Sequence, residues 1–253
     1  MTLNFKAFGQ GDPVIILHGL FGTLDNWQTI GKQLAEQYSV YLVDQRNHGR
    51  SPHHSDFNYA IMAEDLRHFM ESQWIYKAHL IGHSMGGKTV MQFAMDFPDM
   101  IDRLIVVDIA PKAYAGGHQD IFNALHQLDL DQIEDRKTAD AQLAKYIEDF
   151  GVRQFLLKNL MREKAGGYRW KMNLPVIEQH YQAILDTIPL TEAFEEKTLF
   201  IRGSRSKYIS DDDWPKVLTH FPKAHLATVE GSGHWVHAEA PKALLKLVKE
   251  FLN

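Results

Sequence analysis

The sequence contains no cysteine, which excludes both a disulfide framework and a thiolate nucleophile. No apolar run approaches the roughly 18 residues of a membrane-spanning helix, and residues 1–6 lack the apolar region of a signal peptide. Basic residues form no stripe, and the net charge of −5 argues against nucleic acid as a partner. We therefore expect a cytoplasmic protein without a membrane span.

The apolar content is high enough for a folded domain. With 253 residues and 45% apolar residues, the chain can bury one sizeable core, either as one large domain or as a domain with an insertion. Strand-like runs and helix-like runs alternate along residues 1–111, which is typical of an α/β fold with a parallel sheet.

The most informative stretch is a Gly-x-Ser-x-Gly pattern centred on Ser84. A strand-like run at 78–81 precedes it and a helix-like run at 88–95 follows it. In that context the pattern predicts a sharp strand-to-helix turn that presents Ser84 as a nucleophile, with Gly82 and Gly86 giving the chain room. The helix that begins at Met85 then directs its N-terminal amides at negative charge on the substrate.

A glycine-rich bend, 18–22, follows the buried strand at 14–17. If this bend lies beside Ser84, the backbone amides of Leu20 and Met85 converge on one oxygen and form an oxyanion hole. The alternative is a plain turn in which His18 packs structurally.

The polar loop after the strand at 39–43 contains Asp44, Arg46, His48 and Arg50. A short loop of this composition indicates a self-pairing structural network more than a metal site. The tandem histidines at 53–54 also lack other ligands that would converge on the same metal ion. We therefore expect no metal ion.

Two further residues follow strand-like runs. Asp108 ends the run at 103–107, and His234 lies in a Gly-flanked loop after the run at 224–229. Because ligands bind at the carboxyl ends of parallel strands, both are placed within reach of Ser84. The alternatives are that Asp108 caps a turn and that His237, three residues after His234, is the base.

Helical periodicity replaces strand-like runs between residues 112 and 196. Helices are predicted at 120–128, 138–149 and 175–185, and another is marked by Val152, Phe155, Leu156 and Leu160. We interpret 112–196 as a helical cap inserted into a core formed by 1–111 and 197–253. A partner-binding bundle is the alternative.

Four motifs carry a resemblance that covers nearly the whole chain. They are His18-Gly19-Leu20-Phe21-Gly22, the segment 44–52, Gly82-His83-Ser84-Met85-Gly86-Gly87-Lys88 and Gly233-His234-Trp235-Val236-His237. In this order they resemble the α/β-hydrolase fold superfamily and, more closely, the YbfF-type bacterial esterases. The resemblance implies a mostly parallel eight-stranded sheet with a helical cap. It also implies a hydrolase of acyl esters or acyl thioesters that uses no metal and no organic cofactor.

The chain departs from the superfamily at one position. Most members carry their acid in a Gly-x-x-Asp pattern after the strand that ends here at Arg202, whereas this chain has Ser206 at that place. In other members the acid follows the preceding strand, and this position corresponds here to Asp108. Ser206 is then an extra hydrogen-bond partner of the site or a simple turn serine. The acidic cluster at 211–213 is a weaker alternative, because carboxylates are expected in the first turn of a helix.

The resulting hypothesis is two-step acyl transfer to water. Ser84 attacks, His234 shuttles the proton, and Asp108 orients the imidazole. An apolar substrate pocket is expected from five residues: Phe21, Phe155, Leu156, Leu160 and Trp235. The expected partner is a small-molecule acyl ester or thioester, and a monomer is expected over an oligomer. A lyase or acyltransferase on the same scaffold, or a slow ligand-binding module, is the alternative.

Replacement of Ser84 by alanine is predicted to abolish ester hydrolysis without unfolding the protein, because the nucleophile is lost and the turn is kept. Hydrolysis of p-nitrophenyl butyrate and a circular dichroism spectrum measure the two effects. A folded Ser84→Ala protein with wild-type turnover would show that another residue is the nucleophile.

Overall fold

The computed structural model describes all residues from Met1 to Asn253. Its strands in chain order are β1 (Phe5–Phe8), β2 (Pro13–Leu17), β3 (Ser39–Val43), β4 (Ala78–His83), β5 (Ile101–Val107), β6 (Leu160–Arg162), β7 (Tyr168–Trp170), β8 (Thr198–Gly203) and β9 (Ala224–Val229). Its α-helices are α1 (Gln28–Leu34), α2 (Tyr59–Ser72), α3 (Met85–Asp96), α4 (Gln119–Gln127), α5 (Arg136–Leu143), α6 (Phe150–Leu157), α7 (Leu174–Gln179), α8 (Tyr181–Leu185), α9 (Trp214–His220), α10 (Val236–Glu239) and α11 (Pro241–Leu252).

The main sheet has the strand order β1-β3-β2-β4-β5-β8-β9. Only β1 runs antiparallel to its neighbour, and the other strands are parallel, as expected from the sequence. The sheet has seven strands, so the expected number of eight was wrong. The chain carries seven strand-like runs outside the insertion, and only a short turn joins β1 to β2, which leaves no segment for another edge strand.

Alternating side chains of the central strands enter two separate cores. Ile15, Leu80 and Val106 pack on the face covered by α2 and α3. Ile16 and Ile105 pack on the opposite face, where α1 and α11 lie. Since each fully buried aliphatic side chain contributes about 1.5–3 kcal/mol, burial on both faces explains why these strands are continuously apolar.

Between β5 and β8 the chain forms the helical insertion, residues 112–196, with helices α4 to α8 and the hairpin β6–β7. The expected helix through Leu160 was wrong, because α6 ends at Leu157 and Leu160 begins β6. Asn159 makes the turn: its side-chain amide donates to the carbonyl of Phe21 (2.6 Å), and its carbonyl accepts from the Lys171 amide (2.8 Å).

Candidate active site

Ser84 lies at the sharp turn between β4 and α3. Its backbone has φ 52° and ψ −118°, a conformation that a non-glycine residue keeps only when its surroundings enforce it. A Cβ on Gly82 would lie 2.2 Å from the Gly86 carbonyl oxygen, and one on Gly86 would lie 2.6 Å from that of Leu17. The two glycines of the motif are therefore required by the close approach of β2, β4 and α3.

Asp108 follows β5, the strand beside β4. It is fully buried and has a positive φ of 52°. Its Oδ1 accepts a hydrogen bond from the Gly203 amide (3.0 Å), and its Oδ2 lies 2.7 Å from His234 Nδ1. The Ser206 hydroxyl also donates to Oδ2. These donors satisfy a carboxylate that would otherwise be costly to bury.

His234 lies in the loop after β9 and is 17% exposed at its side chain. Its ring stacks on Tyr208 with centroids 3.8 Å apart and planes at 17°. Because Nδ1 faces Asp108, Nε2 is left for the Ser84 side. The hydrogen bonds of His234 run to Asp108 and His83, and none runs to Ser84.

The loop after β2 passes directly beside the nucleophile. A Cβ on Gly19 would lie 3.2 Å from the Ser84 Cβ. Leu20 and Met85 line the same cavity as Ser84. The Leu20 amide donates to no backbone carbonyl, and Met85 is the first residue of α3, where amides lack helical partners. The structure thus brings together the residues that the sequence suggested for an oxyanion hole.

Two buried histidines hold this loop against the polar loop after β3. Nε2 of His18 accepts from the Gln45 amide (3.0 Å), and Nε2 of His48 accepts from the Phe21 amide (3.3 Å). Burial lowers the pKa of His18 to about 4 and that of His48 to about 3. Both rings are therefore neutral at neutral pH, as their acceptor roles require.

The polar loop after β3 makes structural contacts. Asp44 accepts hydrogen bonds from the amides of Leu24 (2.7 Å) and Arg50 (2.9 Å), and Arg46 pairs with the buried Asp65 at 2.5 Å. In the acidic cluster, Asp213 pairs with Lys112 at 2.6 Å and lies away from His234. Neither group supplies a carboxylate to the imidazole.

The cavity beside Ser84 has a volume of about 30 Å³. Its walls are mostly aromatic and aliphatic, and they come from both the core and the insertion: Leu20, Tyr59, Met85, Lys88, Ile109, Tyr114, His118, Tyr181, Ile184, Leu185 and Tyr208.

One wall carries a buried cation. Lys88 donates from Nζ to the carbonyls of Leu185 (3.1 Å) and Asp186, and its ammonium lies 4.9 Å from the ring centre of Tyr114 and 5.5 Å from that of Tyr59. Burial lowers the pKa of Lys88 to about 8. The lysine thereby connects α3, the helix that follows Ser84, to the last helix of the insertion.

The five residues expected to form the substrate pocket do not line the cavity beside Ser84. Phe21, Leu156 and Leu160 are packed in the core, each at most 2% exposed. Phe155 and Trp235 line a separate cavity of about 450 Å³. Helical periodicity identified α6 as amphipathic, but its buried face packs inside the insertion and not against Ser84.

Two contributors were missed from the sequence. Tyr208 stacks on His234 although nothing in its local sequence marks it, because the contact depends on how the loop after β8 folds back. Lys88 carried a weak signal as a cation within a run of α3 that is otherwise uncharged and buried. Aromatic residues of the insertion, such as Tyr181, had no pattern that separates wall positions from core positions.

Comparison with known proteins agrees with this architecture. Residues 12–241 match the family described as alpha/beta hydrolase fold, and the chain belongs to that family. The family match and the observed sheet confirm the resemblance that the four motifs indicated.

The similar proteins include esterases and lipases. The chain is 38% identical to Esterase YbfF of Escherichia coli K12 over the full length of both proteins. It is 39% identical to the sn-1-specific diacylglycerol lipase ABHD11 of Danio rerio, with 100% of this chain and 83% of that protein covered. A solved marine microorganism esterase superimposes with a TM-score of 0.96 at 44% identity and 99% coverage of both chains. Together they support a carboxylesterase-type hydrolase. None of the helices is both long and apolar enough to cross a bilayer.

The buried neutral histidines predict loss of stability in acid. Below about pH 6.5 the unfolded chain binds protons that His18 and His48 cannot bind while folded, so stability falls until their folded pKa values are reached. Each such histidine contributes a slope of up to about 1.4 kcal/mol per pH unit. Urea denaturation between about pH 7 and about pH 5 measures the free energy of unfolding.

Replacing His48 with glutamine, which also accepts a hydrogen bond, should reduce that slope. The exposed His225→Gln variant is the control and should keep the wild-type slope. An unchanged slope in His48→Gln would assign the acid sensitivity to other groups.

Proposed function

We propose that the protein is a serine hydrolase that cleaves carboxylic esters, and acyl thioesters by the same chemistry, through an acyl-enzyme on Ser84. The observation that carries the proposal is the contact of 2.7 Å between His234 Nδ1 and the buried Asp108 carboxylate. It lies beyond the carboxyl ends of β5 and β9, at the same edge of the sheet as Ser84, where open parallel sheets bind their ligands.

In the proposed reaction Ser84 Oγ attacks the acyl carbon while His234 Nε2 takes the hydroxyl proton. Collapse of the tetrahedral intermediate breaks the bond to the leaving oxygen or sulfur, which takes that proton from His234. Water then attacks the acyl-enzyme with His234 as base, and the carboxylic acid and free Ser84 result. Asp108 holds Nδ1 in its protonated form throughout, which keeps Nε2 available as the base.

The oxyanion of each intermediate is assigned to the amides of Leu20 and Met85. Support comes from their position in the Ser84 cavity and from the Leu20 amide, which has no backbone acceptor. Preorganised amides of this kind lower the barrier because they need no reorientation as charge develops. Ser206 is assigned a positioning role, since its hydroxyl donates to the same carboxylate oxygen that faces His234.

We assign the helical insertion the role of a cap that limits the acyl group. Tyr181, Ile184 and Leu185 of the insertion close the small cavity beside Ser84. The cavity is small, so any acyl group must displace part of this wall, and each further methylene must displace more of it. Apolar pockets discriminate by about 1–3 kcal/mol per methylene.

Replacement of Asp108 by asparagine is predicted to lower kcat by up to about 10⁴-fold, because the imidazole is then held in the wrong tautomer. Hydrolysis of p-nitrophenyl acetate measures the effect, and a melting curve checks the fold. Asp212→Asn, in the exposed acidic cluster, is the control and should retain wild-type kcat. Nearly full activity in Asp108→Asn would overturn the assignment of the acid.

Acyl-chain preference tests the role of the cap. Among p-nitrophenyl esters, kcat/KM should be highest for acetyl to butyryl groups and should decline for octanoyl. Ile184→Ala removes part of the cavity wall and should shift the optimum to longer chains. Ile177→Ala, which is equally buried in the insertion but does not line the cavity, is the matched control. A wild-type optimum at octanoyl, or an equal shift in both variants, would contradict this assignment.

A further inference from the structure

A second cavity of about 450 Å³ adjoins the catalytic histidine loop at Trp235. It is formed between the insertion helix α6 and the chain from Trp235 through α10. None of its lining residues lines the Ser84 cavity. Its volume is within the range of small-molecule sites, which is about 300–1,000 Å³.

Two residues that line this cavity are neighbours of His234 or of its contact His83. Trp235 follows His234 in the chain and forms one wall, with ring centroids 6.1 Å apart. His237, another wall residue, lies 4.7 Å from the ring of His83. His83 in turn donates from Nε2 to the His234 carbonyl at 2.9 Å. A molecule in the cavity therefore sits beside the residues that position His234.

The lining combines an apolar wall with one unsatisfied polar atom. The rings of Phe155 and Trp235 are 5.9 Å apart at 47°, and Val152 also lines this wall. His237 is 6% exposed, and its buried Nδ1 has no hydrogen-bond partner. Burial lowers the pKa of His237 to about 3, so the ring is neutral. Asp149, Lys158 and Glu239 also line the cavity. Such a lining suits a molecule with an apolar body and a polar end.

We propose that this cavity binds the alcohol portion of the ester, with preference for alcohols that have an aromatic or bulky apolar body. The inference rests on the function proposed above. His234 gives its proton to the leaving oxygen when the acyl–oxygen bond breaks, so the alcohol must lie on the histidine side of the acyl carbon. The acyl chain occupies the Ser84 cavity, and the alcohol occupies the Phe155–Trp235 cavity.

The test compares two esters with the same acyl group, benzyl butyrate and methyl butyrate. Both give the same butyryl-enzyme, so the ratio of their kcat/KM values reports only the alcohol. We expect wild type to favour the benzyl ester. Val152→Trp, which fills the cavity, and Phe155→Ala, which removes its aromatic wall, should each lower the benzyl-to-methyl ratio by roughly tenfold.

Phe150→Ala is the matched control, since Phe150 lies on the same helix, is 62% exposed and does not line the cavity. It should keep the wild-type ratio. An unchanged ratio in both cavity variants would overturn the proposal, and so would a change in acyl-length preference with the alcohol preference intact. Loss of butyrate hydrolysis in Ser84→Ala tests the proposed function separately, whatever the alcohol ratio shows.

Discussion

The arrangement of the site depends on one buried carboxylate. Asp108 is fully enclosed, and its two oxygens meet the Gly203 amide, the Ser206 hydroxyl and the His234 ring. These partners follow or end β8 and β9, so the carboxylate fastens the ends of three neighbouring strands to one another. An unpartnered charge at this depth would cost several kcal/mol, and this cost favours the conformation in which all three partners are in place.

A second buried charge connects the insertion to the core. Lys88 has no carboxylate partner and is held by two backbone carbonyls and two aromatic rings. Such contacts stabilise an ammonium less than a carboxylate would, in agreement with its lowered pKa. Lys88 is therefore held by contacts weaker than those that hold Asp108.

The sequence placed Asp108 and His234 at one edge of the sheet, where their side chains meet, because the signals for them are local. Glycine spacing around Ser84 and polar residues at strand ends depend only on the chain's passage through a parallel sheet. Phe155, Leu156 and Leu160 do not line the Ser84 cavity, because periodicity shows that a helix has a buried face but not what that face meets. The eighth strand came from analogy with the family, and no segment of this chain supplies it.

The contact between Ser206 and Asp108 has an evolutionary consequence. The two residues follow adjacent strands, and their side chains touch beside the same imidazole. An acid could therefore move from one strand end to the other through two substitutions, without any change in the backbone. An intermediate with both acids would place two carboxylates in contact, and one of them would have to keep its proton. The serine at 206 thus marks a place where descendants of one fold can exchange the source of their acid.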